Sequence, residues 1–282
     1  MSRRIDLHTH STASDGTTTP ALLMAAAREA GLDVIGLTDH DTTGGWAEAA
    51  VALPAGLSLV RGAEISCRID GISLHLLAYL FDPAEPTFAA ARAELRASRL
   101  TRAERMVGLL AADGHPVSWP QVQELAGGTV GRPHIAGALI DSGLVGSVEE
   151  AFTASWIGTR GRYWVDKLEL DALEAVALVT GAGGVSVFAH PAATKRGRTV
   201  GDHVVAAMAA AGLAGIEVDH VDHDEPARAH LRVLAADLGL LTTGSSDFHG
   251  SRKSVQLGDS ITKEAAYEAL VSRARALPVL TG

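Results

Sequence analysis

The chain has 282 residues, of which 47% are hydrophobic and 20% are charged, and its formal net charge is −9. This length allows one large α/β core, or one such core and a smaller satellite. The acidic balance disfavours a broad electrostatic grip on duplex nucleic acid, which needs a basic face. The apolar stretches fall short of the roughly 20 residues that cross a bilayer. We therefore expect neither duplex nucleic acid nor a membrane as a partner.

The first residues and the cysteine content bear on location. "MSRRIDLHTH" passes from two arginines straight into a histidine-bearing strand, without the apolar core of a secretory signal. The single Cys67 excludes an internal disulfide, which agrees with a reducing compartment. We expect a cytoplasmic protein, and the sequence leaves its oligomeric state open.

Apolar runs rich in Val, Ile and Leu alternate with alanine-rich helical stretches along most of the chain. This alternation is typical of βα units around a mostly parallel sheet. Helices are predicted at 20–31, from Pro20 to Gly31, and at 170–181. Seven strands are predicted, close to the number in a barrel, at 5–10, 34–39, 58–65, 73–80, 185–190, 215–219 and 240–245.

The βα alternation stops between residues 86 and 167. "AAARAELRASRLTRAERMVGLLAADG" predicts one long helix, and "RPHIAGALIDSG", opened by Pro133 and closed by Gly143, predicts another. We find no convincing strand pattern in this segment. The sequence therefore predicts a barrel domain at 1–85 and 168–282, with a small all-helical insertion domain at 86–167.

Histidines and carboxylates gather at the ends of the predicted strands. His8 and His10 share a face of the first strand, so both imidazoles can close on one metal ion. The C-terminal ends of the strands form the catalytic rim of barrel enzymes, so groups distant in sequence can meet there. Further candidates stand in "VIGLTDH", "LVRGAE", "SLHLLAYL", "VSVFAH" and "LTTGSSDFH": Asp39, His40, Glu64, His75, His190, Asp247 and His249.

Each of these groups has an ordinary structural interpretation when taken alone. Asp15 in "SDGTT" reads as a turn or capping residue, and a histidine in an apolar strand reads as a satisfied core residue. Their succession at strand ends instead predicts a polynuclear metal site. Imidazole and carboxylate donors suit Mn²⁺, Zn²⁺ or Fe²⁺ better than Mg²⁺. We find no GxSxG elbow, which disfavours a triad hydrolase.

The motifs "HTHSTASDG", "TDHD", "GAEIS", "FAHP" and "SDFH" together resemble the polymerase and histidinol phosphatase (PHP) family, from residue 5 to about residue 260. The resemblance implies a distorted (βα)7 barrel, similar to a TIM barrel, with three divalent ions at its rim, Mn²⁺ being the first choice. It implies one ion at His8, His10, Glu64 and Asp247, a second at Glu64, His75 and His190, and a third at Asp15, His40 and His249.

The insertion is similar to that of PHP phosphoesterases that act on nucleoside 3′,5′-bisphosphates and, in some members, trim the 5′ ends of short RNA. The resemblance implies substrate contacts at Arg99, Arg102, Arg105, Arg132 and His134. Guanidinium groups suit bidentate phosphate contacts, although Arg99 and Arg105 also fit a solvated helix face. His134, at a predicted helix N-terminus, could bind a phosphate or protonate a leaving oxygen. We assign catalysis to His134, Asp15 and His40.

The leading hypothesis is a phosphomonoesterase that removes the 3′-phosphate of a nucleoside 3′,5′-bisphosphate, such as 3′-phosphoadenosine 5′-phosphate, through a metal-bridging hydroxide. The alternatives are a 5′–3′ exoribonuclease acting on short 5′-phosphorylated oligonucleotides, a histidinol phosphatase, and a non-catalytic scaffold. The insertion disfavours histidinol phosphate, which has a single phosphate, and the complete ligand set disfavours a scaffold. The expected partner is a small nucleotide or short RNA.

Overall fold

The computed structural model describes residues 2–126 and 129–282. Residues 1, 127 and 128, which fall within the predicted barrel and insertion segments, lie outside the described residues. The strands are β1 Ile5–Thr9, β2 Val34–Leu37, β3 Ser58–Ile69, β4 Ile72–Tyr79, β5 Leu170–Asp171, β6 Val185–Phe188, β7 Gly215–Asp219, β8 Leu241–Gly244 and β9 Leu280–Thr281. The helices are α1 Pro20–Glu29, α2 Trp46–Val51, α3 Pro86–Ala112, α4 Trp119–Ala126, α5 Arg132–Asp141, α6 Val148–Ala151, α7 Ala172–Gly181, α8 Asp202–Ala210, α9 Glu225–Leu238 and α10 Glu264–Arg273. Within the described residues, none of the helices has both the length and the apolarity that a membrane crossing requires.

The sheet is a nearly closed α/β barrel. Its strands run in the order β1-β2-β3-β4-β6-β7-β8, and a bridge from Thr9 to Phe248 brings the two edges together. The predicted distorted barrel is confirmed, with one departure from a strict βα repeat. β4 is antiparallel to both of its neighbours, because β3 and β4 form a hairpin. The hairpin turns at Asp70 and Gly71, whose φ angles of 50° and 71° suit a two-residue turn.

Several predicted boundaries differ from the structure by two or more residues, and two of them have a clear physical reason. β3 continues to Ile69 instead of stopping near residue 65, because its second half pairs with β4. The helix predicted at 170–181 begins at Ala172, since the Asp171 carboxylate caps it by accepting the N–H groups of Leu173 and Glu174. The two residues before that helix pair with β3 as the short strand β5.

Alternating strand residues build two buried layers in the barrel. Ile35, Leu59 and Leu76 face the helices that surround the sheet. Val60 and Leu77, one residue further along their strands, face the other way and form a cluster with α10. On the parallel strands, the residues of this inner cluster lie within the first three positions of each strand. The opposite, C-terminal ends are therefore left for polar side chains.

The segment 86–167 has a hydrophobic core of its own. Met106 and Leu110 of α3 pack there with Ile135 and Leu139 of α5. The first half of α3, through residues such as Phe88, packs instead on the barrel core. As expected, the described residues of this segment contain helices and turns but no strand. One continuous helix thus joins the insertion to the barrel, and the Thr129 N–H donates to the Ala13 carbonyl at the rim.

Candidate metal centre

Four candidate ligand atoms, from the ends of β1 and β8 and from the middle of β3, converge at the C-terminal rim. His8 and His10 approach through their Nε2 atoms, 3.0 Å apart, and lie 3.2 and 3.1 Å from Glu64 Oε2. Asp247 Oδ1 lies 3.4 Å from the first nitrogen and 3.5 Å from the second. Donors that share one ion at about 2.1 Å stand about 3.0–3.5 Å apart. The geometry therefore suits a single cation among these four side chains.

The second Glu64 oxygen faces two further histidines. Oε1 lies 2.7 Å from His75 Nδ1 and 3.0 Å from His190 Nε2. His75 lies within a strand, yet it reaches the rim because β4 runs in the reverse direction and Ser66, two residues after Glu64, pairs with it. The two Glu64 oxygens therefore face two different groups of histidines.

A third group of donors surrounds Asp15. Its carboxylate oxygens lie 3.7 Å from His40 Nε2 and 3.5 Å from His249 Nε2. His40 also approaches Glu64 Oε2 through Nδ1, at 3.2 Å, so its ring lies between two candidate ion positions. His10 likewise turns Nδ1 toward Asp15, at 3.7 Å. The structure thus brings all nine predicted ligands into one continuous cluster.

The hydrogen bonding of this cluster fits a cation. Nδ1 of His40, Nδ1 of His75 and Oδ1 of Asp247 are buried, and none of them has a hydrogen-bond partner among the described residues. A buried polar atom without a partner is costly, so native proteins satisfy it with a ligand or water. All three atoms point at other donors of the cluster. The side chains present can therefore hold metal ions.

The protonation states of the cluster residues also bear on cation binding. Burial opposes ionisation of Glu64, but the imidazoles of His75, His40 and His8 outweigh it and hold the pKa of the carboxyl well below its usual range. Burial lowers the pKa of His190 to about 3, which keeps that ring neutral. Burial also disfavours charge on His10, yet the nearby carboxylates of Asp247 and Glu64 raise its pKa to about 9. A bound cation would displace this proton.

Glu217, on β7, supports two of the ligand positions. Its Oε1 lies 3.3 Å from His8 Nδ1, and its Oε2 accepts the His190 backbone N–H at 2.8 Å. The Ser245 hydroxyl donates to the same carboxylate, two residues before Asp247. A carboxylate at Nδ1 holds the proton there and leaves Nε2 of His8 free for an ion.

The second carboxylate oxygen of Asp247, Oδ2, is held by side chains outside the cluster. Oδ2 accepts hydrogen bonds from Arg196 at 2.6 Å and from Lys253 at 2.7 Å. His220 Nε2 lies 3.4 Å from the same oxygen, and its Nδ1 accepts the Asp222 backbone N–H, so Nε2 carries the proton. Both Asp247 and His190 have positive φ angles, 54° and 34°. Non-glycine residues in this region are strained and concentrate at functional sites.

Asp39 is connected to the cluster through the side chain of Ser14. Its carboxylate accepts the hydroxyl of Ser14 at 2.6 Å, and that hydroxyl lies 3.4 Å from His10 Nδ1. Asp39 also accepts the backbone N–H of Ser11 at 2.8 Å. Asp39 is thus linked to His10 through Ser14 and does not itself contact a histidine of the cluster among its hydrogen bonds in the described residues.

The arginines predicted for substrate binding fall into three environments. Arg99 is ion-paired with Asp41 at 2.5 Å and donates to Ser66. Arg102 and Arg132 donate to backbone carbonyl groups and, among the described residues, are not ion-paired with a carboxylate. Arg105 is exposed, and the structure does not bring it to the cluster.

His134 lies buried at the start of α5. Its Nδ1 accepts the Gly131 backbone N–H at 2.9 Å, so the ring proton sits on Nε2. Nε2 is buried and lacks a partner within the described part of the chain. Burial, with nearby Arg252, lowers the pKa of His134 to about 4, so the ring is neutral near pH 7. His134 can donate a hydrogen bond from Nε2, and its imidazolium form is scarce.

Sequence reasoning missed several residues that touch the cluster. His220 and His223 received no role, yet His220 contacts Asp247. Of these residues, Glu217 could have been found from the sequence. It stands within the apolar run "GIEVD", and a glutamate in a buried strand must have a partner. Arg196 and Lys253 lie in loops outside the motifs, where the sequence gives no comparable signal.

Comparisons with known proteins agree with this geometry. The PHP domain family matches residues 6–115. A 3′,5′-nucleoside bisphosphate phosphatase from Chromobacterium violaceum is 35% identical over 87% of each chain. A 5′-3′ exoribonuclease from Haemophilus influenzae is 32% identical over 93% of this chain and 95% of its own. A solved structure from Bifidobacterium adolescentis, named as a metal-dependent phosphoesterase, superposes with a TM-score of 0.91 at 37% identity and covers 97% of both chains.

Fold, donor set and relatives together define the class of this protein, a hydrolase acting on phosphoesters. Within that class, the chain belongs to the PHP family, as the sequence motifs indicated.

Proposed function

We propose that this protein is a metal-dependent phosphomonoesterase that removes the 3′-phosphate of nucleoside 3′,5′-bisphosphates, leaving the 5′-nucleotide and inorganic phosphate. One observation carries the proposal: Arg99 donates to Ser66, the strand partner of His75, so α3 brings Arg102, which is not paired with a carboxylate in the described chain, toward the cluster of nine metal donors. A cation cluster and a separate cationic pair suit a substrate with two phosphates. The bisphosphate phosphatase from C. violaceum supports the same substrate class.

We further propose that the cluster holds three divalent ions, with Mn²⁺ favoured over Zn²⁺ and Fe²⁺. When bound, these ions would offset the charge of the scissile phosphate and lower the pKa of the attacking water. Glu64, with one oxygen toward each of two groups of histidines, would hold two of these ions next to each other. Asp15 and His40, on both of which the charge of Arg99 acts, are proposed to line the place where the reacting phosphate binds.

His134 is proposed to bind the substrate as a hydrogen-bond donor. Because Nδ1 is occupied by the Gly131 N–H, the one ring proton available points from Nε2. A neutral imidazole holds this proton tightly, so it stabilises a phosphate oxygen better than it protonates a leaving group. This role differs from general acid catalysis, which the sequence also allowed.

The second phosphate is proposed to bind at Arg102 and Arg132. Each has lost water on burial without gaining a carboxylate partner in the described chain, so an anion there replaces a missing counter-charge. Arg99, already paired with Asp41, is a weaker candidate for direct phosphate contact. Its guanidinium more directly fixes the loop that follows His40.

Phosphate release from the Mn²⁺-loaded protein tests the proposal. We expect turnover of adenosine 3′,5′-bisphosphate to adenosine 5′-monophosphate at a kcat/KM at least a hundredfold above that for p-nitrophenyl phosphate. Asp247→Asn should abolish the reaction, because it removes an ion ligand. His230→Asn is the matched control, since this exposed histidine pairs with Asp202 on the surface. Equal rates on the two substrates, or a product lacking the 5′-phosphate, would overturn the proposal.

The second candidate function is a 5′–3′ exoribonuclease acting on short RNA, favoured by the H. influenzae relative. The same cluster would cleave a phosphodiester, and the arginine pair would hold the 5′-terminal phosphate. Incubation with 5′-phosphorylated tetranucleotides separates the two functions. Mononucleotide release faster than phosphate release from the bisphosphate would favour the exoribonuclease.

The proposal includes a cytoplasmic location and a small nucleotide as the main partner. Cys67 is a free, buried thiol, which suits a reducing compartment. Fractionation of cells that produce the tagged protein would test the location.

A further inference from the structure

Trp164 lies where the chain leaves the insertion, beside the two unpaired arginines. The guanidinium carbon of Arg102 is 4.5 Å from the indole ring centre, and that of Arg132 is 5.0 Å from it. The indole N–H donates to Asp166 Oδ1 at 3.0 Å, which fixes the plane of the ring. One aromatic side chain therefore contacts both cations.

Both arginines are tied down at one nitrogen and leave others free. Arg102 donates from Nε to the Val165 carbonyl at 2.8 Å, and Arg132 donates from Nη1 to the Ile157 carbonyl at 3.3 Å. Arg102 is only 6% exposed, and its Nη2 has no partner in the described residues. A buried N–H group that lacks a partner among the described residues is costly, so a ligand that supplies an acceptor there would satisfy it.

The two positive charges would separate without a group to hold them. Burial, with the charges of Arg132 and Arg99, lowers the pKa of Arg102 to about 9, and burial with the charge of Arg99 lowers the pKa of Arg132 to about 10. The negative face of an aromatic ring attracts a guanidinium and stacks on its plane. Phe152 contributes a second face, 4.9 Å from Arg132. Because neither arginine is paired with a carboxylate among the described residues, the aromatic rings and the two backbone carbonyl groups hold the arginine pair.

We propose that Trp164 is a positioning residue for the second phosphate of the substrate, acting through Arg102 and Arg132. The pair offers a charge of +2, which matches a terminal phosphomonoester dianion better than a diester monoanion. The inference rests on the proposed function, because it assigns one phosphate to the metal centre and the other to the arginines. Trp164 thereby sets the preference for substrates with a terminal phosphate, and it takes no part in bond breaking.

Two substitutions of Trp164 distinguish the effect of its aromatic face from the effect of its apolar volume. Trp164→Phe keeps a face for the guanidinium groups, whereas Trp164→Leu keeps apolar volume without one. We expect Trp164→Leu to raise KM for adenosine 3′,5′-bisphosphate about tenfold, with kcat within twofold of wild type. KM for adenosine 3′-monophosphate, which lacks the second phosphate, should not change. Trp164→Phe should recover most of the wild-type KM.

Trp156→Leu is the matched control, because this insertion tryptophan packs against His115 and Tyr163. It should leave the ratio of the two KM values unchanged, and thermal unfolding of each variant checks that it is folded. An equal loss on both substrates for Trp164→Leu would show that the ring stacks on the nucleobase or only supports the fold. An unchanged KM for the bisphosphate would likewise overturn the proposal.

A binding measurement distinguishes failure of this inference from failure of the proposed function. Calorimetric titration of the chelator-treated protein with adenosine 5′-monophosphate reports on the arginine pair without turnover. We expect about tenfold weaker binding to Trp164→Leu and near wild-type binding to Trp164→Phe. If wild type hydrolyses neither substrate, the proposed function fails, and equal binding by wild type and Trp164→Leu is then the result that refutes the role of Trp164.

Discussion

Replacing Glu217 with glutamine is expected to weaken metal binding while leaving the barrel folded. The carboxylate accepts from the His190 backbone N–H and contacts His8 Nδ1, and Ser245 donates to it. An amide has one oxygen. If its NH₂ group faces the His190 N–H, two donors oppose each other. If it faces His8, the imidazole proton must move to Nε2, the atom that would hold an ion.

Either orientation of the amide costs the site one ordered interaction. Loss of such a supporting hydrogen bond typically lowers metal affinity 10- to 100-fold, which is about 1.4–2.7 kcal/mol. The chemistry of the loaded site is left intact, because Glu217 is not among the proposed ligands. We therefore expect the Mn²⁺ concentration for half-maximal activity to rise by that factor, with kcat recovering at saturating Mn²⁺.

The assay is phosphate release across a series of buffered free Mn²⁺ concentrations, with free Mn²⁺ followed by electron paramagnetic resonance. Asp219→Asn is the matched control. Asp219 lies two residues further along β7, and its carboxylate pairs with Arg232 at the surface, 2.6 Å away. An exposed pair contributes at most about 1 kcal/mol to stability, and metal affinity should not change. Unchanged affinity in Glu217→Gln, or an equal loss in Asp219→Asn, would refute the reasoning.

Three further predictions concern His134, Arg105 and the ions. His134→Gln keeps a hydrogen-bond donor near the position of Nε2 and should retain activity and the wild-type pH profile, because the pKa of about 4 leaves the His134 ring neutral above that pH. His134→Ala should lose about tenfold or more in kcat/KM. Loss of the basic limb of the pH profile in His134→Gln would instead identify His134 as a general acid. Arg105→Gln should leave KM for the bisphosphate within twofold in steady-state assays, since its side chain is exposed, and a tenfold rise would contradict this. Chelation should lower Tm in scanning calorimetry, because ions bound at 1,000 times Kd stabilise the folded state by about 4 kcal/mol; an unchanged Tm in metal-free protein would argue against a stabilising ion site.

Much of the barrel could be predicted because buried strands appear as apolar runs. β2 and β6 lie within the predicted ranges for this reason. Side-chain alternation did not give the direction of β4, since it is the same for parallel and antiparallel strands. The turn at Asp70 and Gly71 was the available signal for a hairpin. Its detection would also have placed His75 at the rim.

The ligand cluster was more predictable than its surroundings. His8, Glu64 and Asp247 stand in motifs whose order along the chain carries information, and the structure places their donor atoms within reach of one ion. Arg102 and Arg105 show the limit of such reasoning. Both lie on α3 three residues apart, and only packing of the insertion decides that the first is buried and the second exposed.

The continuous α3 helix also has a consequence for folding. Its 27 residues span about 40 Å, with Phe88 in the barrel core and Met106 in the core of the insertion. Melting of either core strips half of this helix of its apolar contacts and weakens the other half. The two hydrophobic clusters are therefore energetically coupled, and a calorimeter should record one cooperative transition for the whole chain.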